Sequence, residues 1–197
     1  MHNIVSISGT SRPNNYTSRA LKIVNEELLA LGHKPEVFDA RELVLSFPGA
    51  PPTEDSKRLI EAVESASGIV IATPEYHGSF SAMTKLIIEN LGFPSVLAGK
   101  PIALVGVAAG RIGAIKSLEQ LRGVCAHTGA IVLPGAISIA GVRGAFDDKG
   151  NITDPNAEKA LKSIAASLIS FIDNFVCPKF TLESMARGDG GTWTATL

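Results

Sequence analysis

This 197-residue chain has little cysteine and almost no net charge. Its two cysteines, Cys125 and Cys177, form no CxxC pair and belong to no Cys/His group at metal-ligand spacing. That pattern excludes a disulfide framework and argues against a zinc site, leaving two reduced thiols packed as small hydrophobes. With 18 Lys plus Arg against 19 Asp plus Glu, the net charge is -1 and the pI is near 6.4. Such a chain has no cationic field to hold nucleic acid or an anionic membrane, so neither is expected as a partner. Long hydrophobic runs are missing as well. The apolar stretches at 101–109 and 128–140 are broken by Gly, Pro or Ser well short of the roughly 20 residues that a spanning helix needs. The first residues, MHNIVSISG, lack the basic region and apolar core of a secretory leader, so the expected location is the cytoplasm. There is no internal repeat and no low-complexity segment. The length suits one domain, read as residues 1–175, followed by a tail at 176–197.

What is present is alternation. Short runs rich in Val, Ile and Ala, near 3–8, 35–39, 68–73, 101–108 and 129–133, alternate with segments near 16–31, 54–66, 80–91, 113–127 and 154–175 whose apolar residues recur at spacings of three and four. These are five strand–helix units. GIVIAT and PIALVGVA are apolar on both faces, as strands of a parallel sheet covered by helices on both sides must be. The expected fold is therefore α/β, a three-layer, doubly wound, five-stranded parallel sheet. Boundary residues agree. Asp154 before Pro155 is a capping side chain ahead of a first-turn proline, and Gly32 is a helix stop. The segment 44–53 has too many prolines for a helix. The last twenty residues lose the periodicity. They read as a mobile tail, or as an arm docking on a neighbouring subunit through Phe180, Leu182 and Trp193.

In such a sheet, ligands bind beyond the carboxyl ends of the strands. The loop after strand 1, SGTSRPNNYTSRAL, offers Thr10, Ser11, Arg12, Asn14, Asn15, Tyr16 and Thr17 at the start of a helix. Hydroxyls, amides, a guanidinium and a positive helix end together suit a phosphate, although a Ser/Thr-rich capped helix start with a surface arginine would look the same. The glycines decide the kind of phosphate. Gly99-Lys100 is followed by Pro101, so no triphosphate loop is present, and only Gly9 follows strand 1 where a dinucleotide fingerprint needs GxGxxG. A terminal monophosphate is favoured.

The loop after strand 3 carries Pro74, Glu75, Tyr76, His77 and Gly78, placing flat rings beside accessible backbone as a planar heterocycle requires, or simply packing an aromatic near a helix start. The loop after strand 4 contains Ala109, Gly110 and Gly113, which would permit close approach of a ring. About 20 residues beyond it lies the apolar run IVL instead of a ribose-binding acid.

Taken in order, the three loops resemble the flavodoxin-like, NAD(P)H-dependent FMN reductase family, whose relatives reduce chromate, quinones and azo compounds. Gly9-Thr10-Ser11-Arg12-Pro13-Asn14-Asn15-Tyr16-Thr17 is similar to that family's GSxRxxSxN, with Asn15 at the usual Ser and Thr17 at the frequent Asn. Pro74-Glu75-Tyr76-His77 resembles PEYN, with His77 replacing Asn. Gly110-Arg111-Ile112-Gly113 with Leu121-Arg122 resembles the glycine-rich turn and its helix, with Ala109 lacking the hydroxyl of some relatives.

The resemblance implies strand order 2-1-3-4-5. It implies FMN with its phosphate on loop 1 and its ring between loops 2 and 3, and NADPH or NADH as the hydride source. A quinone, azo compound, metal ion or free flavin would be the small-molecule acceptor. No acid, base or nucleophile is then demanded of the protein. His77 is read as a polar wall residue, with proton donation to the acceptor as the alternative. Glu75 is read as a surface or interface carboxylate, backbone N–H groups near Glu75–Gly78 as stabilising reduced flavin, and Arg111 as a candidate for a 2′-phosphate. The resemblance also implies a homodimer or homotetramer, for which Met83, Leu86, Ile87 and Leu91 offer an apolar face, although core packing explains those residues equally well. A flavodoxin-type electron carrier and a flavin-free nucleotide-binding domain are the competing readings. Near-neutral charge disfavours the first, because carriers are typically acidic.

Overall fold

A computed structural model describes residues 1–187. Strands β1 (Ile4–Ser8), β2 (Pro35–Asp39), β3 (Gly68–Tyr76), β5 (Pro101–Val107) and β6 (Ile131–Val132) pair in parallel in the order β2-β1-β3-β5-β6. The doubly wound flavodoxin-like class and the central path of five parallel strands are as expected. Alternate residues of the three central strands, β1, β3 and β5, feed opposite cores. Ile4, Val70, Ala72, Ala103 and Val105 face α1 (Tyr16–Ala30) and α5 (Pro155–Phe171). Val5, Ile7, Ile69, Ile71 and Leu104 face α2 (Glu54–Ser65), α3 (Ala82–Glu89) and α4 (Ile115–His127). Burial on both sides explains why these strands read as continuous apolar runs.

Four local features depart from the expected elements. First, β3 continues three residues beyond Thr73 and folds back on β4 (Ser79–Phe80) in a hairpin. Pro74 sits at the end of the parallel ladder opposite Val107, so its missing N–H removes little pairing. Second, the last strand is split. After β6, Pro134 and Gly135 (φ +77°) interrupt the run, and β7 (Ile137–Ile139) resumes the pairing with β5. Third, the apolar face expected on α3 is mostly core: Ile87 and Leu91 are buried, and Met83 and Leu86 are half-buried.

The fourth departure is at the C-terminal end. A π-helical segment Ile172–Val176 leads from α5 into α6 (Cys177–Arg187), so these residues of the expected tail are helical. Phe180 and Leu182 lie on α6, whereas Trp193 falls outside the described residues. The continuous helix Pro155–Arg187 is long and apolar enough to cross a membrane by composition. Within it, Leu161, Ile164, Ala165, Leu168 and Ile169 pack into the core against the sheet and α1.

Candidate active site

Beyond the carboxyl ends of β1, β3 and β5 lies a cleft of about 330 Å³, walled by loop 1, the end of β3, the end of β5, and a 3-10 turn at Val142–Gly144. Loop 1 is anchored from below. Gly9 donates its N–H to the Ala72 carbonyl (2.8 Å) and its own carbonyl accepts from the Ser81 hydroxyl. A Cβ on Gly9 would come 2.0 Å from Thr84 Oγ1, so only glycine fits this crossing. The Thr84 hydroxyl donates to Thr73 Oγ1 (2.9 Å), which donates in turn to the Pro74 carbonyl (3.2 Å). One buried network thus fixes both loop 1 and the end of β3.

The polar residues of loop 1 divide into two groups. Asn15 is the N-cap of α1: its Oδ1 accepts from Ser18 N (2.7 Å) while its Nδ2 donates to the Arg12 carbonyl (2.8 Å). Thr10 is buried, accepts from Arg12 N (3.3 Å) and meets the Tyr76 hydroxyl at 3.3 Å. Tyr16 is held by its ring, against Phe146 (5.8 Å between centroids) and under the Arg19 guanidinium. These three build the loop. In contrast, the side chains of Ser11, Arg12, Asn14 and Thr17 make no hydrogen bond among the described residues. Arg12, Asn14 and Thr17 line the cleft, and Asn14 turns the chain through a left-handed conformation (φ +48°). Because Asn15 caps only Ser18, the N–H groups of Tyr16 and Thr17 remain without intrahelical acceptors at the positive end of α1. Uncommitted donors and a helix N-terminus at one point make an anion site.

Pro74, Glu75 and Tyr76 line the opposite wall, with the Arg12 guanidinium 4.8 Å from the centre of the Tyr76 ring. His77 and Gly78 form the hairpin turn, both at positive φ (+52° and +76°), as a type I′ turn requires. Gln120 ties this turn to α4 by donating to the Gly78 carbonyl (2.9 Å) and accepting from the Ser79 hydroxyl (2.7 Å). His77 is exposed, and neither it nor Gly78 lines the cleft.

Of the third loop, Ala109 lines the cleft and Gly110 and Gly113 do not. The Gly110 carbonyl accepts from Gly141 N (3.0 Å). Gly113 (φ +82°) is packed so closely on β7 that a Cβ would stand 2.4 Å from Ser138 Oγ. Arg111 is exposed and outside the lining. Glu75 serves the structure: its Oε2 accepts from Ser117 N (3.1 Å) at the N-terminus of α4, where the N-cap, Ala114, provides no side-chain acceptor. Of the five lining residues outside the expected set, Pro13, Val107 and Ala108 adjoin it in sequence, whereas Val142 and Arg143 do not. They follow the last strand, and nothing in their local sequence marks them. The Val142 N–H donates to the Ala108 carbonyl (3.0 Å), which swings the turn over the cleft.

Comparison with known proteins follows the same lines. The family model described as NADPH-dependent FMN reductase matches residues 2–143. An FMN-dependent NADPH-azoreductase of Staphylococcus aureus is 25% identical over 178 residues, covering 85% of this chain and 94% of that protein. Among solved structures, the flavoenzyme NAD(P)H:(acceptor) oxidoreductase FerB of Paracoccus denitrificans superposes with a TM-score of 0.71 at 21% identity, over 88% of this chain and 98% of that one. The NADH:FMN oxidoreductase EMOB gives a TM-score of 0.67 at 20% identity, over 85% and 90%.

The external cap on α4 is directly testable. Glu75→Ala should lower unfolding free energy by about 1 kcal/mol in urea titration, as loss of a capping side chain does, and Glu75→Gln, which keeps an acceptor, should lose less.

Proposed function

The chain belongs to the NADPH-dependent FMN reductase family, and on that premise we propose that the cleft binds FMN through its phosphate and passes reducing equivalents from a nicotinamide to a small-molecule acceptor. It is an NAD(P)H-dependent oxidoreductase with FMN as cofactor. The observation that carries the assignment of residues is the set of uncommitted donors, Arg12, Asn14 and Thr17, gathered in the cleft where α1 begins. A monophosphate fits this set. Its charge matches one guanidinium and a helix end, and the site lacks the glycine-lined approach that a pyrophosphate needs.

When bound, FMN supplies the hydride and electron chemistry. The protein's own residues then have three roles. Arg12, Asn14 and Thr17 hold the phosphate. Pro74, Tyr76 and Ala109 offer apolar and aromatic surface to a planar group. Glu75, engaged at α4, fixes the height of the β3 wall instead of accepting a proton. His77 is a turn residue whose left-handed conformation, tolerated by His and Asn, shapes the hairpin.

The acceptor class is a quinone, an azo compound, a metal ion or free flavin, with either nicotinamide as donor. The compartment is the cytoplasm, where reduced nicotinamides are held. Near-neutral charge favours turnover of small molecules over docking on a basic redox partner. Self-association would use the groove of about 890 Å³ between α3 and α4, lined by Phe80, Val124 and the fully exposed Phe93, in place of the buried Ile87 and Leu91.

Two experiments test these roles. Arg12→Ala and Thr17→Ala should each weaken FMN binding by roughly tenfold or more in fluorescence titration, the loss expected for one charge-assisted hydrogen bond; unchanged affinity would refute the phosphate assignment. His77→Asn should leave kcat within about tenfold and the pH profile unshifted. A fall of about 10²-fold or more with an altered profile would instead make the imidazole a proton donor.

A further inference from the structure

At the edge of the sheet opposite the cleft, side chains from the two ends of the chain converge. His2, just ahead of β1, is 6% exposed, and its Nε2 lies 2.7 Å from Asp173 Oδ1. Cys177 completes a group of three ligand atoms that all lie within 4.8 Å of one another. Asp173 lies in the π-helical segment and Cys177 directly follows it. Such wide turns are rare and recur at functional sites. The His2 ring is held from behind: His33 stacks on it at 5.0 Å with planes 3° apart, and His33 Nδ1 accepts the His2 backbone N–H at 2.9 Å. Accepting there places the neutral His33 proton on Nε2, so His33 orients His2 and is not itself a ligand.

We propose that His2, Asp173 and Cys177 form a binding site for a divalent cation of the zinc class, with water as the fourth ligand. The ligand chemistry selects the metal. One nitrogen, one sulfur and one carboxylate oxygen suit a borderline-soft ion and not Mg²⁺ or Ca²⁺, which take oxygen sets. Tetrahedral zinc at bond lengths of about 2.0 to 2.3 Å sets its ligand atoms roughly 3.3 to 3.7 Å apart. The His2–Asp173 pair must therefore open by about half an ångström to reach that spacing. With ligand atoms up to 4.8 Å apart, the group must also draw in by about an ångström to hold an ion. Asp173, whose side chain is 55% exposed, has room to move and leaves solvent access for the water. Entry of the ion displaces the proton between His2 and Asp173 and the thiol proton of Cys177 to solvent. The result is a clasp between the start of β1 and the helix that carries α6. No spacing motif could reveal it, because the ligands sit at positions 2, 173 and 177, and this is why the cysteine pattern argued against zinc.

The test is equilibrium dialysis of untagged, FMN-loaded protein against buffered Zn²⁺, with metal and flavin measured on the same samples. The wild-type chain should retain one zinc, and its Tm should rise with added zinc. His2→Gln and Cys177→Ser should each weaken zinc binding by about 100-fold or more, since even outer-shell changes cost 10- to 100-fold, and should abolish the Tm rise while flavin content stays unchanged. Should either variant fail to retain flavin, Asp173→Asn at the exposed ligand takes its place. A wild-type chain that retains no zinc, or variants that retain as much as the wild type, would overturn the proposal.

Discussion

The Gly9 carbonyl, gripped from the dry interior by the Ser81 hydroxyl, is the point from which the cleft is built. A buried carbonyl must find a donor, and a network in low dielectric holds its members to one geometry. Here that network also includes Thr84, Thr73 and Pro74, so the direction in which loop 1 leaves β1 and the position where β3 ends are set together. The absence of a side chain at Gly9 is what allows the crossing. Loop 1 then commits Thr10 and Asn15 to its own shape and leaves Arg12, Asn14 and Thr17 uncommitted.

The remaining walls follow from similar local requirements. The N-terminus of α4 has no capping side chain of its own, and Glu75 meets that need from β3. The turn beyond β7 is tied to the cleft through Val142 and Gly141, which donate to Ala108 and Gly110. Elements distant in sequence are therefore locked at the cleft by backbone groups that require partners, and the cleft's shape is a product of satisfying them. The opposite edge of the sheet has its own polar cluster at His2, Asp173 and Cys177, separated from the cleft by the length of the strands.

How much of this could be read from the sequence depended on whether the signal was local. The layered fold was legible because Ile69, Val70, Ile71 and Ala72 feed both cores and cannot be anything but a strand covered twice. Asp154 was legible as a cap, and Asn15 belongs to the same class, although its commitment to Ser18 and Arg12 depends on the geometry of the turn. Pro74 misled: it ends strands as a rule, yet here it occupies the last rung of a ladder, and the hairpin beyond it depends on His77 in a conformation usually left to Gly, Asn or Asp. Pro134 did interrupt a strand, but the resumption at Ile137 is held by pairing with β5 alone. The glycines at 110 and 113 read as ligand glycines but lie outside the cleft lining, Gly110 in a turn and Gly113 packed on Ser138, whereas Arg143 reached the cleft with no sequence mark at all. Contacts that depend on tertiary placement leave no periodicity to detect.

The central claim is that loop 1 recognises the phosphate, and the two flavins that differ only in that group measure it. Titrating the apoprotein with FMN and with riboflavin under one set of conditions should show riboflavin binding weaker by about 100-fold or more, since several charge-assisted hydrogen bonds of roughly 1.5 to 3 kcal/mol each are lost with the phosphate. Equal affinities for the two would contradict the account and return the start of α1 to an ordinary capped helix.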